Sequence, residues 1–201
     1  MSNISWWIFD EKHHYDIIDE LNDEKQSDRS VSLIAASFLE SRLQIAIESR
    51  LTDRPKLPRT KPSKSKDGEK GNSLFNRLFG GHGSSPLGTF SAKIDMALAI
   101  GLFGLKVYHD LTIIREIRNT FAHEMKRITF NTRSIRDMCN NLWIPKHISL
   151  PVGDPRIDPP KLATEPREQY LHTVNAINGG LYTEMVRQPA EKAKPVMIGW
   201  D

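Results

Sequence analysis

The chain has 201 residues, of which 38 % are hydrophobic and 26 % are charged, and its net charge is +3. This length allows one packed domain with extensions, and the single cysteine, Cys139, excludes an intrachain disulfide and fits a reducing compartment. The longest apolar run, 96–105, is shorter than the roughly 20 residues of a membrane-spanning helix, and the first residues lack the apolar stretch of a signal peptide. We therefore expect a cytoplasmic protein with no membrane segment.

Apolar residues recur at spacings of three and four along much of the chain, and no useful alternating strand pattern is present. The N-terminal segment 1–26 contains a short helical pattern at about 15–25. A wide apolar face then predicts a central packing helix over 27–51, with Ser27 as its N-cap and Asp28 in its first turn. The predicted fold class is all-α, a single helical domain of about six to seven helices.

Basic charge is concentrated in 52–71, which holds seven Lys or Arg and three Asp or Glu residues, so that the rest of the chain is close to neutral. This stretch is rich in proline and almost free of apolar side chains, which predicts a flexible loop over 52–73. A plain solvated insertion is the simpler interpretation. The alternative is that its bases contact a nucleic-acid backbone, and the residues concerned would be Arg54, Lys56, Arg59, Lys61, Lys64, Lys66 and Lys70.

After the loop, the pattern predicts a brief helix that a glycine pair ends, and then three further helices. Their ranges are 73–81, 89–103, 105–123 and 131–142. The helical core would thus span 27–142, interrupted by the basic loop. A Pro-rich extension, 143–201, follows with one helix at about 165–187, in which Gly179 and Gly180 could mark a kink.

On a helical wheel, the segment 105–123 places two charged side chains where apolar ones are expected. Arg118 falls at about 140° and Asp110 at about 60° inside an apolar arc that runs from Ile113 to Leu111. A guanidinium that faces a core requires acceptors, and Asp110 and Asp95 are the candidates. His123 lies about 140° from Arg118, so the two share no face of an unbroken helix.

Several motifs resemble the mannitol repressor (MltR) family. They are "SDR…AASFLE", "PLGTFSAKID", "YHDLTIIREIRNTFAH" and a closing "CNNL", in this order from about 27 to 142. The resemblance implies an all-helical cytoplasmic regulator, named for repression of a mannitol operon. This sequence adds the basic insertion, an N-terminal piece with Trp6 and Trp7, and the Pro-rich extension.

The segment "RNTFAH" is also similar to the Arg-x4-His motif of the HEPN superfamily of helical ribonucleases. That similarity implies a metal-independent ribonuclease in which Arg118, Asn119 and His123 act on RNA across a dimer interface. In the other interpretation these three residues belong to a larger polar cluster that organises the core or lines a cleft. The members of this cluster would be Asp95, Asp110, Arg115, Arg118, Asn119 and His123.

The remaining chemistry is sparse. The seven histidines form no pair four residues apart and no cluster with Cys139, so we expect no metal site and no cofactor. No helix pair presents an obvious basic recognition helix for DNA; the region of Arg133 and Arg136 is the nearest candidate. We therefore expect a transcriptional regulator or repressor that acts mainly through a protein partner or self-association, with the ribonuclease as the alternative.

Overall fold

The computed structural model describes residues 25–51, 74–80, 85–149 and 162–187, together with residues 17, 20, 21 and 23. These residues form seven α-helices and no strand, which confirms the all-α class. The helices are α1 (Asp28–Arg50), α2 (Leu74–Phe79), α3 (Phe90–Ala99), α4 (Leu105–His123), α5 (Arg133–Asn141), α6 (Ile144–His147) and α7 (Pro166–Arg187). The predicted basic loop 52–73, with all its proposed nucleic-acid contacts, lies outside the described residues, as does most of the predicted helix at 15–25.

Helix α1 is the central element and packs against α3, α4 and α7. The Ser27 side chain accepts a hydrogen bond from the backbone N–H of Ser30 at 3.1 Å, so the predicted N-cap is confirmed. Among the described helices, α1 alone is long and apolar enough to cross a membrane. Its most apolar stretch is 56 % buried inside the bundle, which is typical of a core helix.

The turn between α3 and α4 departs from the expected helix boundary. Helix α3 begins as predicted, with Thr89 as its N-cap, but it ends at Ala99 rather than at 103. Gly101 has a φ of 73°, in the left-handed region that favours glycine, and the Leu102 N–H donates to the Ala97 carbonyl at 2.9 Å. This hydrogen bond closes the helix end and turns the chain so that α4 can pack back against α3.

Helix α7 belongs to the same core as the earlier helices, although the sequence assigns it to an extension. It packs against α1, α4, α5 and α6 and buries Tyr170, Val174 and Ile177. The Tyr170 hydroxyl donates to the Ser32 carbonyl on α1 at 3.0 Å, which satisfies a polar group in the interior. The helix continues through Gly179 and Gly180 without interruption.

A polar junction joins the first turn of α1 to the distant helix ends. The Arg167 guanidinium on α7 donates to Asp28 Oδ1 at 3.1 Å, and Asp28 Oδ2 accepts the Phe130 N–H at 2.9 Å. Arg29 donates to the carbonyls of Glu124 and Lys126 at 2.6 and 3.1 Å. The loop after α4 is therefore held in place by the start of α1.

Candidate functional site

Helix α4 carries the residues that the sequence singles out, and it runs without a break to His123. The predicted apolar arc is buried, including Leu111, Ile114, Ile117 and Phe121. Asp110 is also buried in this arc, with no exposed surface, as its wheel position predicts. The polar residues of the motif lie in different environments and have different partners.

Asp110 caps the short helix α6 rather than pairing with Arg118. Its Oδ1 accepts the backbone N–H of Trp143 and its Oδ2 that of Ile144, each at 2.8 Å. The exposed His109 ring adds a third contact, from Nδ1 to Asp110 Oδ1 at 3.0 Å. A buried carboxylate is stable here because backbone donors at a helix N-terminus hydrogen-bond both of its oxygens. The proposed Asp110–Arg118 pair is therefore wrong.

Asp95 does not pair with Arg118 either. It lies exposed on α3, where its Oδ1 accepts the Tyr108 hydroxyl at 3.0 Å. This hydrogen bond, together with the charge of Asp95, raises the pKa of Tyr108 above its ordinary value. The contact links α3 to α4 at their polar surface.

The two arginines of the motif have different neighbours. Arg118 is half-buried and donates to the Asn119 amide oxygen at 2.9 Å. Arg115 donates to Ser91 Oγ on α3 at 2.6 Å and has Glu116 at 3.8 Å, while no described residue hydrogen-bonds its buried Nε. Thus Arg115, and not Arg118, is the arginine that joins the two helices.

His123 is exposed at the last residue of α4. It lies five positions after Arg118 along a continuous helix, which turns the two side chains about 140° apart. Within one copy of the described chain, therefore, Arg118 and Asn119 are brought together but His123 is not. A joint site for the three would need a second subunit.

Two buried basic side chains, Arg42 and Lys93, were not predicted from the sequence. A helical wheel of α1 would have indicated Arg42. Arg42 has no exposed surface and lies over the rings of Phe38 and Tyr182, at 5.2 and 5.9 Å from their centroids. Burial lowers the pKa of Arg42 from its ordinary value, and the Tyr182 charge opposes this shift. On α3, Lys93 is buried and forms an ion pair with Glu40 Oε1 on α1 at 2.8 Å.

A third buried base lies on α7. His172 is 6 % exposed, and no described residue hydrogen-bonds its buried Nε2. Burial lowers the pKa of His172, while the charge of Glu168 one turn earlier acts in the opposite direction. The buried bases are thus distributed over three helices, and no three histidine, cysteine or carboxylate side chains in the described chain come together as a metal site.

Comparison with known proteins gives one informative result. No protein-family model and no curated protein matches the sequence. A chain in the X-ray structure of the MtlR–HPr complex from Escherichia coli matches the fold with a TM-score of 0.56 and 15 % sequence identity. The match covers 83 % of this chain and 96 % of that chain. At this identity the likeness concerns the fold, and the protein therefore has an MtlR-like all-α fold.

Proposed function

We propose that this chain is a cytoplasmic regulatory protein of the mannitol repressor type that acts by binding a protein partner. The observation that carries the proposal is the extent of the fold match, which includes nearly all of the matched chain. That structure is a complex with HPr, so an HPr-like protein is the partner to test first. The ordered resemblance of the motifs in 27–142 supports the same assignment independently of the fold.

The loop after α4 offers a surface suited to such a contact. Met125 is 97 % exposed, and the Arg29 guanidinium bonds the carbonyls of the residues on both sides of it. Lys126 and Arg127 follow and are also exposed. A flexible apolar side chain on a fixed loop, beside two cations, would suit a partner with an apolar patch and an acidic rim.

Helix α5 gives little support to direct reading of DNA by the described part of the chain. It has nine residues, and its Arg133 lies 4.0 Å from Asp137, one turn further along the same helix. A recognition helix presents unpaired bases to the major groove over a longer surface. We therefore propose that any effect on transcription passes through the protein partner. The bases of 52–71 remain the alternative route to nucleic acid.

The ribonuclease alternative gains no support from the geometry within one chain. Its general base would be His123, which is exposed, whereas Arg118 is half-buried and bonded to Asn119. Catalysis by the pair would require both groups within reach of one phosphate. The interaction protein is the better-supported function.

A binding experiment tests the proposal directly. The full chain is titrated by isothermal calorimetry with the HPr protein of its own organism, and we expect saturable binding with one partner per chain. Met125→Glu should weaken this binding. The same substitution at Met96 is not a suitable control, because Met96 packs against the core and the change would destabilise the fold. Ile148→Glu is the matched control, since Ile148 is 41 % exposed at the end of α6.

Two results would contradict the proposed function. One is the absence of HPr binding by the folded chain together with unchanged transcription in a strain that lacks it. The other is metal-independent RNA cleavage that is lost in a folded His123→Ala variant. Absence of HPr binding without the transcription result would remove only HPr as the partner, whereas RNA cleavage would replace an interaction protein with an enzyme.

A further inference from the structure

An apolar cavity of about 400 Å³ lies where the beginning of α4, helix α6 and the second half of α7 meet. Phe103 and Val107 form one wall, Trp143 and Ile144 form the next, and Ile177 and Leu181 form the third. None of the described residues that line it carries a charged side chain. Its volume is in the range of small-molecule sites, which are mostly apolar with a few polar groups at defined positions.

The glycine pair of α7 forms part of the cavity wall. Gly179 and Gly180 are both exposed, and a Cβ atom at either position would meet no described atom within 4 Å. Each glycine inside a helix costs about 1 kcal/mol relative to alanine. Close packing against the described chain does not explain why glycine is present at these two positions. The absence of side chains leaves the helix backbone accessible to a bound molecule.

Two bases contact the indole of Trp143 beside the cavity. The Lys106 ammonium lies 4.0 Å from the centroid of the ring, and the His147 ring stacks on it at 4.3 Å with an interplanar angle of 8°. His147 Nδ1 also lies 2.8 Å from the Trp143 carbonyl oxygen, which fixes the ring. Neither base forms an ion pair with a carboxylate of the described chain, and the nearby Asp110 is bonded to backbone donors.

We propose that this cavity binds an amphipathic organic monoanion of the fatty-carboxylate class. The alkyl chain would lie against the apolar walls and the open backbone of Gly179 and Gly180. The carboxylate would lie at the mouth, beside Lys106 and His147. Charge complementarity favours an anion over an uncharged molecule of the same length, because Lys106 and His147 lie beside the cavity on Trp143 with no carboxylate partner in the described chain.

The test uses the full chain and compares decanoate with decanol, both below their micelle-forming concentrations. We expect one saturable site that binds decanoate about fivefold more tightly than decanol, as a partly solvated charge pair allows. Lys106→Gln should remove this preference and leave the affinity for decanol unchanged. Lys25→Gln is the matched control, since it removes the same charge from an exposed lysine just before α1, a helix that does not line the cavity.

Filling the cavity provides the second arm. Gly180→Leu should reduce binding of both molecules at least about tenfold without lowering thermal stability, because the new side chain enters open space and leucine favours the helix. Val107→Phe fills it from the opposite wall and replaces the first variant if that one does not fold.

Four outcomes would overturn the proposal. The first three are equal affinity for decanoate and decanol in the unaltered chain, unchanged decanoate binding in a folded Gly180→Leu variant, and binding of several molecules without saturation. A fourth is a dimer that Gly180→Leu dissociates while decanoate does not bind, since the cavity would then face a second copy. The HPr titration is independent, and its failure would leave this result intact.

Discussion

The carboxylate of Asp110 accepts the backbone N–H of Ile144 at 2.8 Å, across 34 residues of sequence, and so fixes the start of α6 to the middle of the core. Asp110→Asn keeps the shape of the side chain but replaces one carboxylate oxygen with an NH2 group. That NH2 group faces one of the two backbone N–H groups and cannot accept its hydrogen bond. Leaving one buried donor unpaired should cost about 2 kcal/mol of the free energy of unfolding. Urea denaturation followed by circular dichroism measures this difference.

Asp95→Asn is the matched control for that experiment. Asp95 is exposed and, among the described residues, accepts a hydrogen bond from the Tyr108 hydroxyl alone, so the same substitution should change stability by less than about 0.5 kcal/mol. Equal effects of the two substitutions would show that the cap at α6 contributes nothing beyond an ordinary surface contact.

The Lys93–Glu40 ion pair should respond unequally to loss of its two members. The Lys93 side chain is 7 % exposed, whereas that of Glu40 is 25 % exposed. Glu40→Gln therefore leaves a buried ammonium without its counter-charge, and we expect a loss of about 2–3 kcal/mol. Lys93→Met leaves a carboxylate that water reaches and should cost less. A double-mutant cycle by urea unfolding gives both values, and a greater loss for Lys93→Met would contradict the expected order.

The helices of this chain were predictable because apolar periodicity and caps are local properties. The Ser27 cap, the start of α3 and the apolar stripe of α4 all lie where the pattern indicates. The partner of Asp110 was not predictable, because its donors are backbone groups 33 and 34 residues away that only the tertiary fold brings near. The same holds for Arg115 and Ser91, which belong to different helices. Charge alone predicted that Arg118 pairs with Asp110 or Asp95. In the structure Asp110 accepts backbone N–H groups and Asp95 accepts the Tyr108 hydroxyl instead.

His172 should make stability depend on pH. Burial lowers its pKa in the folded state below the ordinary value of 6.5, so the unfolded state takes up a proton first as the pH falls. Its contribution to stability is complete above pH 6.5 and is lost as the pH falls through the lowered pKa. The slope for one proton cannot exceed about 1.4 kcal/mol per pH unit.

The check is urea denaturation between pH 7.5 and pH 5. His172→Gln should flatten the dependence below about pH 6.5, because the amide does not titrate. His123→Gln provides the comparison, since it makes the same substitution at an exposed histidine. A His172→Gln variant with an unchanged slope would mean that other groups cause the dependence.

Cys139 should react with thiol reagents only after unfolding. The side chain is buried on α5, and burial raises the pKa of its thiol to about 12. Because the thiolate is the reactive form, modification by a chromogenic disulfide at pH 8 should be slow in the folded chain and fast in urea. Rapid modification without denaturant would show that α5 opens under native conditions.

Substitution of Arg118 tests whether this side chain stabilises the core. A pair between Arg118 and a buried carboxylate would predict a large loss of stability. It is half-buried and donates to its neighbour Asn119, so Arg118→Ala should cost less than about 1 kcal/mol. His123→Ala should be close to neutral because the ring is exposed. Thermal unfolding measures both, and a metal-free RNA incubation of the same samples should show no cleavage. Loss of folding in Arg118→Ala would show that the arginine stabilises the core after all. RNA cleavage by the unaltered chain, abolished in both variants, would instead place Arg118 and His123 in one site assembled across two subunits.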